Sequence, residues 1–444
     1  MASISPPHNS FDALFLFQHD FFDLILMDIG LGIIAVGLLF LLYRSKLIHR
    51  AALWLKRTKL ADRIALGVIT VGVLIFLYSA PNYPIQFAMP PMMHAMTPDE
   101  ARLPPYMPVM NVWRFFLHGD KFKWESDIGQ DPANVPPPIT RQDNEVVKVH
   151  FTMEEVFAEL APGIINNYWA YDGQVPGPMI RVKEGDTIQF SLSNDPTSLH
   201  AHNIDMHAVS GPGGGAPLTT VLPGETKTFT WKALHPGLYI YHCATPNIAL
   251  HETHGQYGLV LVEPKDHPLP KVDKEFYLVQ GEFYTAGGIG RKGLVKFDSD
   301  RFIDGNPTYV VFNGKIETTP RMVVNKGDHV RIYIGNGGVN LISSFHIIGV
   351  IFDTVYPEGA IGPGSAIEHN VQTTAILPGG AAIVEFTANV PGTFLVVDHA
   401  LARLNKGAWA QLVVKGSPSP DIYHAGPVDA PVSAPTPTET PMHH

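Results

Sequence analysis

Two long apolar runs lie near the start of the chain, and short alternating segments fill most of the remainder. Residues 24–43 form a 20-residue stretch whose only charge is Asp28, which is long enough to cross a bilayer as a helix. The second run, at about residues 64–80, is slightly short, and tilt or flanking residues can absorb the difference. The pattern predicts two transmembrane helices, at about 24–43 and 64–80, in a membrane anchor that covers residues 1–80.

The loop between the two apolar runs is strongly basic. Against one acid, Asp62, it carries seven cations: Arg44, Lys46, Arg50, Lys56, Arg57, Lys59 and Arg63. Since short loops rich in Lys and Arg stay in the cytoplasm, the N-terminus and everything after residue 80 are expected on the outer side. For a Gram-negative bacterium this predicts a two-pass inner-membrane protein with its folded domains in the periplasm. A cleaved signal peptide is the rival interpretation, but the acidic N-terminal segment lacks the basic start it needs.

After residue 145 the pattern changes to short segments in which apolar and polar residues alternate. Residues 147–151 and 187–192 are examples, and a period of two is typical of strands that cover a core with one face. No long amphipathic helical pattern interrupts these segments, which favours a β-sandwich. The content of Gly 40 and Pro 39 agrees with many strands joined by tight turns.

The globular part contains an internal repeat. YDGQVPGPMIRVKEGD at residues 171–186 resembles FNGKIETTPRMVVNKGD at residues 312–328, and PGLYIYHC at 236–243 matches PGTFLVVDHA at 391–400. Each copy ends in a strand that delivers a histidine, and only the first copy follows it with cysteine. The repeat predicts an all-β fold with two tandem β-sandwich domains, at 146–271 and 272–416. A Pro/Met-rich linker (81–145) precedes them and a Pro-rich tail (417–444) follows.

Composition narrows the function. Lys+Arg 31 against Asp+Glu 41 gives a net charge of −10 at pH 7, without the basic surface that binds nucleic acid. The single cysteine, Cys243, excludes an intrachain disulfide. The 21 histidines exceed what core packing needs, and imidazole is a frequent ligand of transition metals. Composition therefore points to a metalloprotein.

A set of candidate metal ligands includes Cys243. A blue-copper site needs two imidazoles and one thiolate in a plane, with a weak axial ligand. His202, Cys243, His251 and Gln256 follow this order and type, and the loop that carries the last three contains no Met. An amide oxygen favours Cu(II), so the potential is expected to be low; His254 is the alternative axial ligand. The sequence predicts a type 1 electron-transfer copper site.

Two further histidines fit a second metal. Successive residues of a strand point to opposite faces, so His242 can bind another metal while its neighbour Cys243 binds the first. His207 lies five residues beyond His202. With His399 from the repeat, an all-imidazole set with an open position becomes possible, which is the form of a catalytic site rather than a structural one.

These motifs together resemble the copper-containing nitrite reductases, whose two domains are cupredoxins. The resemblance covers about residues 146–416, and the segments that carry it are HNIDMH (202–207), GGG (213–215), HCA (242–244), SFHII (344–348) and VDH (397–399). It implies one type 1 and one type 2 copper per chain. The type 1 ligands would be His202, Cys243 and His251, with Gln256 in place of the family's axial Met. The type 2 ligands would be His207, His242 and, from the adjacent subunit of a homotrimer, His399.

The resemblance also implies the reaction, which is NO-forming nitrite reduction in denitrification. One electron would pass from type 1 to type 2 copper through Cys243 and His242. Asp205 and His346 match the family's proton-handling pair, and Ile348 matches its substrate-shaping side chain. From the residues alone, Asp205 as an orienting partner of a ligand and His346 as an ordinary core histidine are equally good interpretations.

Two other functions are open on the sequence. A two-domain multicopper oxidase that reduces oxygen needs a His-Cys-His triplet, whereas Ala244 follows Cys243. A membrane-tethered cupredoxin electron carrier would use the type 1 site alone. The expected partners are nitrite, the lipid bilayer and an electron donor that is a cupredoxin, a cytochrome c or membrane quinol.

Overall fold

The computed structural model describes residues 26, 29–41, 59–79, 123–245, 248–295, 297–316 and 321–427. From residue 123 onward, the regular structure of the described chain is mainly β-strand, as the alternating pattern predicts. Asp28, most of the basic loop, the Met-rich part of the linker and the tail from residue 428 lie outside the described residues.

Two helices coincide with the two apolar runs. They cover residues 29–41 and Lys59–Ser79. They meet at glycines: a Cβ on Gly37 would lie 2.6 Å from Ile69 Cγ1, and one on Gly72 would lie 2.9 Å from the Gly30 carbonyl oxygen. Small residues let two apolar helices approach closely. Within the described ranges, however, no helix is both long enough and apolar enough to cross a membrane, so the two spans stay a prediction.

The first domain is a sandwich of two sheets. Its strands are β1 (Lys123–Trp124), β2 (Val146–Ala161), β3 (Ile164–Tyr171), β4 (Ile180–Lys183), β5 (Thr187–Asn194), β6 (Asp205–Met206), β7 (Thr226–Lys232), β8 (Gly237–His242) and β9 (Tyr257–Glu263). The smaller sheet has the order β4-β9-β8-β6. In the larger sheet β3, β2, β5 and β7 are adjacent in that order, and β1, from the predicted linker, pairs with β2.

The second domain repeats the two-sheet arrangement. Its strands are β10 (Lys274–Phe283), β11 (Gly293–Leu294), β12 (Tyr309–Phe312), β13 (Met322–Asn325), β14 (His329–Asn336), β15 (Ser343–Ile347), β16 (Phe352–Tyr356), β17 (Glu368–Val371), β18 (Thr373–Ile376), β19 (Ala381–Thr387), β20 (Gly392–Asp398) and β21 (Trp409–Lys415). The sheets have the orders β12-β10-β14-β19-β16-β17 and β13-β21-β20-β15-β18. The short strand β11 instead extends the larger sheet of the first domain by pairing with β3.

Short helices connect the strands. The α-helices are Ala216–Thr219, Ile248–Thr253 and Ser299–Ile303, and the 3₁₀ helices are Pro212–Gly215, Pro357–Gly359 and Leu401–Lys406.

Apolar side chains of the middle strands are divided between separate cores. In β9, Leu259 faces a layer that the two domains share, whereas its neighbour Val260 faces the core of the first domain. In β10, Val279 belongs to the shared layer and Leu278 to the core of the second domain. Each such side chain, when fully buried, stabilises the fold by about 1.5–3 kcal/mol. The sheets that face one another across the domain boundary are therefore covered on both sides.

Candidate metal centre

Three predicted type 1 ligands converge in the first domain. The ligand atoms of His202, Cys243 and His251 all lie within 4.8 Å of one another, and all three residues are buried. His251 Nδ1 is 3.3 Å from His202 Nδ1 and 3.3 Å from Cys243 Sγ. Two imidazoles and one thiol at these separations are the donor set that copper takes in blue-copper proteins. The residues present fit that metal.

Local structure explains why these ligands meet. Cys243 directly follows β8, and the pairing of Asp205 with His242 brings the segment before β6 alongside that strand end. Within the segment, the Asn203 N–H donates to Cys243 Sγ at 3.4 Å. His251 is carried by the helix Ile248–Thr253, which is anchored in the first core through Leu250.

Gln256 is fully buried beside the three ligands. Its Oε1 lies 2.8 Å from His251 Nδ1, and its Nε2 donates to His202 Nδ1 at 3.0 Å. The amide therefore reaches the space between the two imidazoles, and its role as the axial ligand stays a prediction. His254, the alternative, stacks on Trp169 with ring centroids 4.3 Å apart, and its Nδ1–H donates to the Leu250 carbonyl. The ring face and Nδ1 of His254 are therefore already engaged by Trp169 and by the Leu250 carbonyl.

Burial sets the protonation of the type 1 ligands. It lowers the pKa of His202 and of His251, which favours the neutral imidazole that binds metals. It raises the pKa of the Cys243 thiol to about 11. Because the thiolate is the form that binds a metal, copper binding here would release a proton from Cys243.

A second cluster lies on the other side of the same strand end. His207 Nε2 is 3.1 Å from His242 Nε2, and a carboxylate oxygen of Asp205 lies within 4.8 Å of both ligand atoms. His242 is buried, Asp205 is half-buried and His207 is exposed, so the cluster opens to the surface. Burial lowers the pKa of His207, and the charge of His242 lowers it further. The neighbours His242 and Cys243 thus belong to different clusters, as strand alternation predicts.

A glycine turn seats Asp205. Gly214 has a φ of +55°, and a Cβ on it would lie 1.8 Å from Asp205 Oδ1. Glycine adopts this left-handed conformation without strain and leaves room for the carboxylate. The GGG motif therefore lets the backbone approach Asp205.

The other predicted site residues lie together on the second domain. The rings of His346 and His399 are 5.2 Å apart, and the His346 Nδ1–H donates to the Gln372 carbonyl at 2.6 Å. His399 is exposed and His346 half-buried, and Ile348 is 44% exposed. Within the described part of this single chain, His399 does not join the cluster of His207 and His242.

Two buried carboxylates beside the ligands have no counterpart in the sequence prediction. Glu155 Oε1 lies 3.3 Å from His202 Nε2, and Glu252 Oε1 lies 3.3 Å from His242 Nδ1. Burial alone would raise the pKa of Glu155, but the charges of His200 and His202 and their hydrogen bonds hold it well below its usual range. Burial raises the pKa of Glu252 to about 7. The only sequence signal for Glu252 is that it directly follows His251. Glu155 has no such signal, because it reaches the site through sheet pairing.

Comparisons with known proteins agree with this geometry. Residues 153–267 and 295–417 each match a multicopper oxidase family model. The copper-containing nitrite reductase of Neisseria meningitidis is 51% identical over 292 residues, which cover 65% of this chain and 74% of that protein. A copper nitrite reductase structure from Nitrosomonas europaea matches with 33% identity and a TM-score of 0.55, covering 62% of this chain and 96% of that one. A solved multicopper oxidase matches with 28% identity and a TM-score of 0.51, covering 60% and 88%.

Proposed function

This chain belongs to the copper-containing nitrite reductase family, and from that premise we propose that it reduces nitrite to nitric oxide: NO₂⁻ + e⁻ + 2H⁺ → NO + H₂O. It is an oxidoreductase with copper as its cofactor. The observation that carries the proposal is that two adjacent residues at the end of β8 belong to different clusters. Cys243 belongs to the first cluster and His242 to the second.

Copper held at the two clusters would relay the electron of the external donor, with Cys243 and His242 as the covalent connection between the clusters, and would offer nitrite an open position. Asp205 lies within 4.8 Å of the ligand atoms of His207 and His242, close enough to hold a proton against an anion there. His346 delivers the second proton. A carboxyl and an imidazole of different intrinsic pKa form an effective proton-delivery pair.

The catalytic cluster is completed between subunits of a homotrimer. Catalytic metal sites commonly use three protein ligands and keep one position open, whereas the described residues of one chain bring together the two imidazoles of His207 and His242. His399 and Ile348 are exposed on the second domain. The same domain exposes further large apolar side chains that suit a subunit interface: Ile342, Leu395 and Leu401.

Residues 1–80 anchor the enzyme in the bacterial inner membrane, with the catalytic domains in the periplasm. The basic loop supports this orientation, and both helices expose large apolar side chains, among them Leu39, Phe40 and Leu74. The electron donor is then a periplasmic cupredoxin or cytochrome c, or quinol in the same membrane. Carbonate washing of membranes tests the anchor: the full chain should stay with the membrane and a chain beginning at residue 123 should not. Release of the full chain contradicts it.

Replacing His399 tests the function. His399→Ala should lower nitrite turnover by more than about 100-fold, while the type 1 absorption band is retained. His369→Ala is the matched control, because His369 is an exposed histidine of the same domain whose Nδ1–H donates to the Asp353 carbonyl. Unchanged turnover in His399→Ala contradicts the assignment.

Electron paramagnetic resonance with copper counting separates the rival functions. The proposal expects two coppers per chain and two distinct Cu(II) signals, of which nitrite perturbs one. An electron carrier would hold a single type 1 copper. An oxygen-reducing oxidase would hold more than two coppers.

A further inference from the structure

Strand β2 places two side chains against the type 1 ligands from outside. Met153 and Glu155 are two residues apart, so they point to the same face of the strand, and both are buried. Met153 Sδ accepts from Gln256 Nε2 at 3.1 Å, and Glu155 Oε1 lies 3.3 Å from His202 Nε2. One strand therefore contacts two of the four predicted ligands, Gln256 and His202.

Glu155 is held firmly as a hydrogen-bond acceptor. Its Oε1 accepts from the backbone N–H groups of Leu199 and His200, both at 2.8 Å. His200 Nδ1 lies 3.1 Å from the same oxygen. Two backbone N–H donors and two imidazole nitrogens converge on this one oxygen, and hydrogen bonds that a carboxylate accepts favour its ionised form. The other oxygen, Oε2, has no hydrogen-bond partner among the described residues.

The contacts of its two ring nitrogens fix the tautomer of His202. The Gln256 Nε2 group, which donates, lies 3.0 Å from His202 Nδ1. Nδ1 is therefore the unprotonated nitrogen and Nε2 carries the hydrogen, which it donates to Glu155. The lone pair of Nδ1 faces the space that it shares with Cys243 and His251.

The second imidazole ligand has a different environment. In the described part of the chain, His251 makes its polar side-chain contacts through Nδ1, with His202, Cys243 and Gln256. No carboxylate there forms an ion pair with it, whereas His202 has Glu155. The carboxylate partner distinguishes one ligand from the other.

We propose that Glu155 is a positioning residue of the type 1 site that holds His202 with Nδ1 toward copper and stabilises Cu(II) over Cu(I) by its negative charge. A carboxylate behind a ligating histidine raises the basicity of that ligand, and a buried charge is weakly screened. The effect has the same direction as the oxygen ligand of Gln256. The inference rests on the proposed electron route, because it concerns the potential at which the first copper passes its electron on.

Potentiometric titration of Glu155→Gln tests the role of the charge. The variant keeps the size and an acceptor oxygen but removes the charge, so the midpoint potential should shift to more positive values. Copper content and the thiolate-to-copper absorption band should be retained. Glu154→Gln is the matched control, because Glu154 is the neighbouring residue on the opposite face of β2 and pairs with Lys123. Equal midpoint potentials in Glu155→Gln and the unaltered protein overturn the proposal.

Two further measurements keep the test decisive if Glu155→Gln does not fold. Glu155→Asp keeps the charge, so its midpoint potential should stay close to that of the unaltered protein. In the unaltered protein, pulsed EPR should give unequal quadrupole couplings for the remote nitrogens of His202 and His251; equal couplings contradict the proposal. Both readouts require type 1 copper and no nitrite, so they are independent of whether nitrite is the substrate.

Discussion

At the end of β8 the first domain carries Cys243, and at the same place in the second domain β20 ends with Asp398. Residues 236–243 align without a gap on residues 391–398, and the backbone contacts agree with that alignment. The Asn203 N–H donates to Cys243 Sγ at 3.4 Å, and the Ser344 N–H donates to Asp398 Oδ1 at 3.2 Å. One backbone arrangement therefore holds the thiol of Cys243 in one domain and the carboxylate of Asp398 in the other.

The difference lies in what the buried group binds. Cys243 faces two imidazoles, whereas Asp398, which is fully buried, pairs with Arg403 and accepts from Gln280 Nε2 at 3.1 Å. The second domain thus has an ion pair where the first has the proposed type 1 site. It keeps the strand end that presents His399 at the surface.

The same comparison relates the two residues that we propose as proton donors. Asp205 pairs with His242 on β8, and His346 pairs with Val397 on β20. Since His242 and Val397 are equivalent in the gapless alignment, Asp205 and His346 occupy one position of the repeated domain. The two copies have specialised that position as an acid in one case and an imidazole in the other.

Replacing each member of this pair in turn tests whether they share a role, and among the changes that probe this comparison it should have the largest effect. Asp205→Asn and His346→Asn should each lower nitrite turnover by about 100-fold, because each removes one proton-delivery group. Copper content and the type 1 absorption band should not change. Steady-state turnover with metal analysis measures this. A loss in Asp205→Asn with full activity in His346→Asn would break the comparison.

The boundary between the domains carries an ion-pair network. Glu275 of the second domain binds Arg181 of the first at 2.7 Å, Arg331 at 3.1 Å and the Tyr333 hydroxyl at 2.6 Å. Burial by itself would raise the pKa of Glu275, but the hydrogen bonds from Arg181 and Tyr333 and the charges of both arginines hold it below its usual range.

Glu275→Gln should destabilise the protein by about 3 kcal/mol at pH 7, since removing one partner leaves buried charge unpaired. Because the folded pKa is below the unfolded one, this contribution is complete above about pH 4.3 and is lost as pH falls through the lower folded value. Urea unfolding of variant and unaltered protein at several pH values measures it. Glu145→Gln, at a largely exposed site, is the control. A difference in stability that does not shrink in acid contradicts the network.

Asp398→Asn tests the ion pair that stands in place of the thiolate. Loss of its charged hydrogen bonds should cost about 2 kcal/mol in unfolding free energy. Because the Ala400 N–H donates to Asp398 Oδ1 at 3.0 Å, the loop that presents His399 should loosen and type 2 copper occupancy should fall. The type 1 absorption band should be unaffected, which distinguishes this variant from one in the first domain. Retained type 2 copper would mean that the Asp398 ion pair does not position His399.

Gln256→Met changes only the first domain and should have the smallest effect on turnover, below about tenfold. A thioether is a softer ligand than an amide oxygen and favours Cu(I), so the midpoint potential should become more positive. Potentiometric titration measures the shift. An unchanged potential means that Gln256 is not the axial ligand.

Local rules of the sequence led to the candidate ligands, of which the structure brings His202, Cys243 and His251 together. His242 and Cys243 had to face opposite sides of a strand, and the spacing of His251 and Gln256 follows from the short loop after Cys243. The outer carboxylate was beyond reach, because 47 residues separate Glu155 from His202 and only sheet pairing brings them together. The equivalence of Asp205 with His346 likewise needed the strand register.

The fold shows the same division between local and distant information. Alternation and the repeat predicted two sandwiches, and the structure has them. These sequence patterns did not predict that β1 and β11 both join the larger sheet of the first domain. β11 pairs Gly293 with Ile164, a contact between the two predicted domains that no periodicity records.

Because the two domains share one apolar layer, neither domain is expected to fold well without the other. Either half produced alone would expose a sheet face built for the other, including Leu238, Leu259, Tyr277 and Tyr333. Such a large apolar face favours self-association over a soluble monomer. The two halves therefore fold as one cooperative unit, and one domain produced alone, or a domain exchange that respects only the repeat boundary, should yield aggregates.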